Sequence, residues 1–285
     1  MKIVPGIYAS AISADISRTA SSEIVNVSRS RFPDGEMYLR IDSDLKGEDL
    51  LVVSNTRKDD EIIDLMLLLD ACRGRNPGSI TLLIPFFGYA RQHMRYREGE
   101  PISSSAIGRA IFPQVDRAFI VEVHDNRAIE PFASKVKNLM VEDSIVKHLS
   151  GSKPDYVVSP DDGGEERAKA ISGLLGTKYL IMEKKRIDSR TVEIEVPDAD
   201  LRNRSVVLID DMISTGGTIV KACSILRKKG VSEIHVVTIH GLFLNESFRH
   251  ISEYADSISA TNTIWSPYSK IDISAEIYNQ MGGMK

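Results

Sequence analysis

The run Val206-Val207-Leu208-Ile209 stops on two adjacent carboxylates, Asp210 and Asp211. After Met212 and Ile213, Ser214-Thr215-Gly216-Gly217-Thr218 opens into a helical pattern from Ile219. Four consecutive apolar residues read as a strand buried on both faces. Acids then fall at its carboxyl end, where open α/β sheets receive their ligands. The glycines let a ligand approach the backbone without meeting a Cβ. The amides of residues 214–218 converge beside a positive helix terminus, and the hydroxyls of Ser214, Thr215 and Thr218 add donors. That is a cup for phosphate. The two acids are acceptors, suited to sugar hydroxyls or a hydrated Mg²⁺, so a sugar phosphate fits better than a bare phosphate. The loop alone reads rather as a glycine-rich turn with solvated caps, and the complete strand–acid–acid–loop–helix context favours the binding reading. It is not a P-loop, since GxxxxGK[ST] is missing from the sequence.

The rest of the chain repeats the strand–helix alternation. Strand-like runs include Glu23–Val27, Leu50–Ser54, Ile80–Ile84, Ala118–Val123, Tyr156–Ser159, Lys178–Met182, Ser205–Ile209 and Glu233–His240, and Thr191–Val196 is a further β-like run. Helical spacing joins Ile62, Met66, Leu69 and Cys72 within Asp60–Arg73, and Ile219, Cys223 and Leu226 within Ile219–Lys229. The second helix ends on Arg227-Lys228-Lys229 before Gly230, cations and a glycine where a helix terminus favours both. The pattern predicts an α/β protein with mostly parallel sheets flanked by helices. At 285 residues, two domains are expected. Leu149-Ser150-Gly151-Ser152-Lys153-Pro154 marks the division into 1–149 and 150–285. No repeat between the halves is visible in the sequence.

A net charge of −4 argues against a nucleic-acid-coating protein but leaves room for a local basic pocket. No apolar run reaches the roughly 18–20 residues of a membrane helix. Met1–Gly6 lacks a secretory pattern. Cys72 and Cys223 form neither a disulfide framework nor a CxxC pair, and sit in apolar helical patterns as buried thiols. A soluble protein of the reducing cytoplasm is expected.

Further segments narrow the reading. Phe32-Pro33-Asp34-Gly35-Glu36 is a short acidic turn. Gly88-Tyr89-Ala90-Arg91-Gln92 follows a strand, and Arg95 and Arg97 extend its positive charge. His124 ends the Val121-Glu122-Val123 run, and Ser159-Pro160-Asp161-Asp162-Gly163-Gly164 is a second glycine loop before a helix. Met182–Arg190 carries Lys184, Lys185 and Arg186. Arg91, Arg95 and Arg97 read as a local cluster able to clamp phosphates, with a solvated basic face as the weaker alternative, whereas His124 taken singly reads as a strand-end histidine and the lysines as solubility devices. His148, His235, His240 and His250 read as structural.

Together these motifs resemble the ribose-phosphate diphosphokinase family, over nearly the whole chain; Val206–Thr218 alone resembles the phosphoribosyltransferase superfamily at large. The resemblance implies two phosphoribosyltransferase-like domains. It implies diphosphoryl transfer from ATP to ribose 5-phosphate, serving nucleotide biosynthesis with Mg²⁺ as cofactor in a homodimer or larger homo-oligomer. ATP falls to Phe32, Asp34, Gly35, Glu36, Arg91 and Gln92, part of this site crossing a subunit contact. Ribose 5-phosphate falls to Asp210, Asp211, Ser214, Thr215, Gly216, Gly217 and Thr218, with Arg186. His124 and Asp161 fall to the metal, and Lys184 and Arg186 to a catalytic loop. His93 and Asp162 depart from the family pattern, which commonly has an acid and a histidine there. A nucleobase phosphoribosyltransferase would share only the second-half site, and a non-catalytic relative would have no chemical reason to keep Lys184, Arg186, Asp210 and Asp211.

Overall fold

A computed structural model describes residues 1–186, 192–197 and 199–282, with the backbone alone for 183–186 and 192–195. The chain forms two compact units, residues 1–140 with 274–285, and residues 141–273.

In the first unit the elements are β1 (Lys2–Pro5), α1 (Ser10–Ala20), β2 (Glu23–Ile24), β3 (Val27–Arg31), β4 (Met37–Ile41), β5 (Asp49–Val53), α2 (Asp59–Arg73), β6 (Ser79–Ile84), α3 (Ser103–Ile111), β7 (Arg117–Val121) and β8 (Val136–Leu139). The sheet order is β2-β1-β5-β6-β7-β8, with every neighbouring pair parallel. The apolar runs of β5 and β6 lie in its interior, where Leu50–Val53 and Ile80–Ile84 are buried. Such strands contact helices on both faces, which is why they lack period-two alternation. β3 and β4 stand apart as an antiparallel hairpin. The expected strand Glu23–Val27 is therefore divided: two residues pair at the sheet edge, Val25 still donates to Ile3, and Val27 begins the hairpin.

The second unit contains α4 (Glu142–Leu149), β9 (Tyr156–Ser159), α5 (Glu165–Leu175), β10 (Lys178–Ile181), β11 (Glu183–Arg186), β12 (Val192–Glu195), β13 (Ser205–Ile213), α6 (Gly217–Lys228), β14 (Glu233–Gly241), α7 (Ser247–Ser252), β15 (Ser257–Thr261) and β16 (Ser269–Ile271). Its main sheet runs β10-β9-β13-β14-β15-β16, again all parallel. The two units thus share one strand order without a visible sequence repeat. Val206–Ile209 of the central β13 are fully buried, as are Cys223 and Leu226 of α6. In α2 the buried stripe runs through Ile62, Leu65, Leu68, Leu69 and Cys72, while Met66 lies half-buried beside it. Both cysteines are free, and burial pushes each thiol up to about 12.

The division differs from the expected 149/150 at both ends. α4 buries Ile145 and Leu149 and packs on α5 and β16, so it joins the second unit. The last helix, α8 (Ser274–Gln280), returns to the first unit, packing on α1 while Gln280 donates to the Met140 carbonyl at 2.6 Å. The polar Leu149–Pro154 stretch is a turn inside the second unit. Among the described residues, no helix is long and apolar enough to cross a membrane.

Candidate active site

In the second unit, β13 outlasts its neighbour. β9 stops at Ser159, and its pairing with β13 ends at Leu208, but β13 continues to Ile213 against β14. Asp210 and Asp211 therefore lie within β13 rather than after it, on the stretch that β9 no longer flanks. Asp210 accepts the Asp211 amide at 2.9 Å. Burial pushes the Asp210 carboxyl up to about 8, the charge of Asp211 and then of Asp161 adding to the effect, while Arg167 of α5 opposes it. Three acids thus share one neighbourhood, which favours a cation or hydroxyl donors there.

The loop after β13 is Ser214-Thr215-Gly216, and Gly217 and Thr218 form the start of α6. Gly216 caps the helix with φ +75°, and a Cβ there would stand 3.0 Å from Ser247 Cβ. The first turn of α6 holds no acidic residue. Thr215, Gly217 and Thr218 are exposed to solvent, while Gly216 is buried; a helix start of this kind leaves backbone amides without partners inside the helix, donors that suit an anion. The Ser214 carbonyl faces the other way, accepting the Leu244 amide at 2.9 Å and the Ser247 hydroxyl at 3.2 Å. This strap holds Phe243, Asn245 and Glu246 at φ +45°, +53° and +55°. Neither the strap nor Arg167 was legible as part of the site. For Arg167 the one signal is a cation placed just after the acidic start of α5.

Asp161 lies beside this arrangement. Its Oδ1 accepts the Gly163 amide at 3.1 Å, and Ser159 Oγ donates to its carbonyl at 2.7 Å. A Cβ at Gly164 would meet Ser159 Oγ at 2.3 Å, so the turn needs glycine. β11 and β12 form an antiparallel pair in which Lys184 stands opposite Ile194 and Arg186 opposite Val192. The side chains of Lys184 and Arg186 lie outside the described residues, as do residues 187–191.

The first unit holds the other candidates. Phe32–Glu36 is the exposed tip of the β3–β4 hairpin. Gly35 takes φ +95°, the Asp34 carboxylate accepts the Glu36 amide at 3.1 Å, and the Phe32 ring meets Tyr38 edge-on at 5.8 Å. Arg91 is exposed beyond β6. Gln92 is half-buried, its carboxamide oxygen accepting from Ser103 at the start of α3. Arg95 and Arg97 are exposed, and Glu100 accepts the Arg97 amide at 3.1 Å. His124 is exposed just past β7. Next to it, a two-pronged bond from Arg127 holds the Asp125 carboxyl down at about 2, aided by His93. The other histidines serve the scaffold: His240 pairs with Thr263 at 3.0 Å, His235 with Ser257 at 2.9 Å, His148 with Ser259 at 3.0 Å, and His250 faces Glu253 at 3.5 Å.

Asp161 and His124 belong to different units. Among the described residues, no group of three or more His, Cys, Asp or Glu side chains is placed to hold a metal. The oxygens of Asp210, Asp211 and Asp161 nonetheless suit Mg²⁺, which binds one or two carboxylates and takes the rest of its shell from phosphate and water.

An all-parallel sheet with an acid pair and a glycine loop opening a helix at its carboxyl end defines a phosphoribosyltransferase-like α/β protein. The comparisons agree. Residues 1–112 match the model of the N-terminal domain of ribose phosphate pyrophosphokinase, and residues 128–268 that of the phosphoribosyl transferase domain. Ribose-phosphate pyrophosphokinase of Thermoplasma acidophilum is 43% identical over 283 residues, covering 99% of each chain. That of Pyrococcus furiosus is 37% identical over 259 residues, covering 90% of this chain and 92% of the relative. The crystal structure of phosphoribosylpyrophosphate synthetase from Mycobacterium smegmatis superposes with a TM-score of 0.86 at 22% identity, over 99% of this chain and 97% of that one, a likeness of fold. The chain belongs to the ribose-phosphate pyrophosphokinase family.

Proposed function

We propose that this chain transfers the diphosphoryl group of ATP to the 1-hydroxyl of ribose 5-phosphate, giving 5-phosphoribosyl 1-diphosphate and AMP. The observation that carries the reading is the cup of residues 214–218 beside Asp210 and Asp211, on a chain that also has the family's N-terminal half. A nucleobase phosphoribosyltransferase needs the cup but not that half.

In this mechanism Ser214–Thr218 receive the 5-phosphate, with the helix-start amides and hydroxyls as donors. Asp210 and Asp211 accept from the ribose hydroxyls, fixing the sugar so that its 1-hydroxyl oxygen faces the β-phosphorus of ATP. Attack forms the new P–O bond, the 1-hydroxyl proton passes to water, the bond from the β-phosphorus to the α-phosphate oxygen breaks, and AMP leaves. Arg91 and Gln92 hold ATP together with the Phe32–Glu36 turn, the arginines beside them offsetting triphosphate charge. Lys184 and Arg186 stabilise charge on the transferring phosphoryl oxygens, and Arg186 also holds the sugar phosphate. Positioning and cations supply most of the acceleration in such transfers. In the second unit Mg²⁺ would be held by Asp161 and the β13 acids and would supply charge neutralisation on phosphate oxygens; His124 is a separate metal-ligand candidate in the first unit. A cytoplasmic homodimer or larger assembly completes the reading, the exposed Phe32 tip supporting a hairpin that reaches a second copy.

The test is incubation with ATP, ribose 5-phosphate and Mg²⁺, with nucleotide analysis. AMP formed in step with 5-phosphoribosyl 1-diphosphate, and lost on adding EDTA, is expected. ADP in place of AMP, turnover only with a nucleobase and preformed 5-phosphoribosyl 1-diphosphate, or metal-independent turnover contradicts it.

A further inference from the structure

The strand order of the first unit corresponds place for place to that of the second. The loop after β13 is the anion cup, so the loop after β5, residues 54–58, occupies the equivalent place in the first unit. The two loops are finished in opposite ways. α6 begins with no acid in its first turn, whereas α2 begins Asp59, Asp60, Glu61. Glu61 is 1% exposed and turns its carboxylate back onto the loop. Its Oε2 accepts the amides of Arg57 at 2.5 Å and Lys58 at 3.1 Å, and Arg57 Nη2 lies 3.2 Å from Oε1. Two amides at a helix start plus a guanidinium are a donor set that a phosphate uses elsewhere. Here the chain supplies the anion itself.

The loop so fixed grips the next one. Asn55 Oδ1 accepts the Phe86 amide at 2.8 Å, Thr56 Oγ1 accepts the Gly88 amide at 2.9 Å, and the Thr56 amide donates to the Phe86 carbonyl at 3.1 Å. A Cβ on Gly88 would stand 2.1 Å from the Thr56 carbonyl oxygen, so the two backbones touch. The neighbouring Tyr89 has φ +64° and donates its hydroxyl to Asp59. The Gln92 amide then bonds the Tyr89 carbonyl at 3.1 Å. A continuous set of contacts runs from Glu61 through residues 55–57 to the segment carrying Arg91 and Gln92.

We infer that Glu61 is a positioning residue for the nucleotide. It is a built-in anion that locks the loop after β5, and through Asn55 and Thr56 that loop fixes the approach of Arg91 and Gln92. The inference rests on the assignment of ATP to those two residues; Glu61 itself touches no substrate. An ordinary helix cap in the same place would affect stability but leave the two substrates equally served.

The test compares full-length wild type with Glu61→Ala in steady-state kinetics. KM for ATP should rise about tenfold, the scale of one charged hydrogen bond, with KM for ribose 5-phosphate changed less than about twofold. Sodium acetate should recover part of the ATP effect in the variant and none in wild type, because it refills the vacated cradle. Equal changes in both KM values, or no response to acetate, overturns the inference. Glu61→Gln, nearly isosteric, covers the case in which the alanine variant does not fold. Its amides at 86–92 should exchange hydrogen about tenfold faster than in wild type while those at 214–218 are unchanged; identical exchange at 86–92 overturns the inference. The exchange measurement requires no turnover. A wild type that releases no AMP therefore counts against the proposed function alone.

Discussion

Asp210 offers a prediction whose sign and size both follow from its surroundings. Its carboxyl is raised to about 8, first by burial and then by Asp211, against an ordinary value of 3.8. The folded protein therefore keeps a proton there that the unfolded chain has already released across the window between those two values. Stability contributed by that proton is present at low pH and lost as pH climbs toward 8. Integrating at about 1.36 kcal/mol per pH unit, the loss between pH 6 and pH 8 is about 2 kcal/mol, an upper value because the proton is shared with Asp211. Asparagine has the same shape and no proton to lose. Asp210→Asn should therefore gain on wild type as pH rises from 6 to 8, by about 4–8 °C in the melting temperature of the unliganded protein. Thermal melts at several pH values, read as the difference between the two proteins, cancel the histidines. Parallel curves would refute the reasoning. On the proposed assignment Mg²⁺ or ribose 5-phosphate selects the charged pair, so either should flatten the wild-type dependence.

Two other substitutions probe the second unit. Gly216→Ala places a Cβ at a left-handed position costing roughly 1–2 kcal/mol, 3.0 Å from Ser247; KM for ribose 5-phosphate should rise about tenfold with KM for ATP unchanged. Equal effects on the two substrates would separate the loop from the sugar phosphate. Lys184→Ala should lower kcat by about 10²–10³ with little change in either KM, since its contact is proposed to form in the transition state; unchanged turnover in a rapid-quench assay removes Lys184 from the chemistry.

The second-unit candidate site was legible because the features that compose it are local. An apolar run, two acids, a glycine loop and a helix stripe lie within about twenty residues, and each keeps its place in the fold. Even there the strand is longer than its apolar run suggests, because Asp210 and Asp211 look like a strand end while β14 carries the pairing on to Ile213. The short strands β1, β8, β15 and β16 were not anticipated; β16, Ser-Lys-Ile, carries almost no strand signal. The hairpin was masked because its first residue ends the strand-like run Glu23–Val27, which pairs with β1 for only two positions. The Ser247 strap, the return of α8 to the first unit and the clamp from Glu61 to Gly88 all join residues 25 or more apart in the chain, and local pattern says nothing about such pairings. The shared strand order was equally silent, because parallel sheets need only buried apolar strands and tolerate almost any choice of them.

Calorimetric titration of the protein with ribose 5-phosphate, in saturating Mg²⁺, examines the proposed sugar-phosphate cup without relying on turnover. Saturable heat is expected from ribose 5-phosphate, strongly reduced in Gly216→Ala, with none from ribose at the same concentration. No heat from ribose 5-phosphate, or equal heat from ribose, would contradict the assignment of residues 210–218 to that ligand.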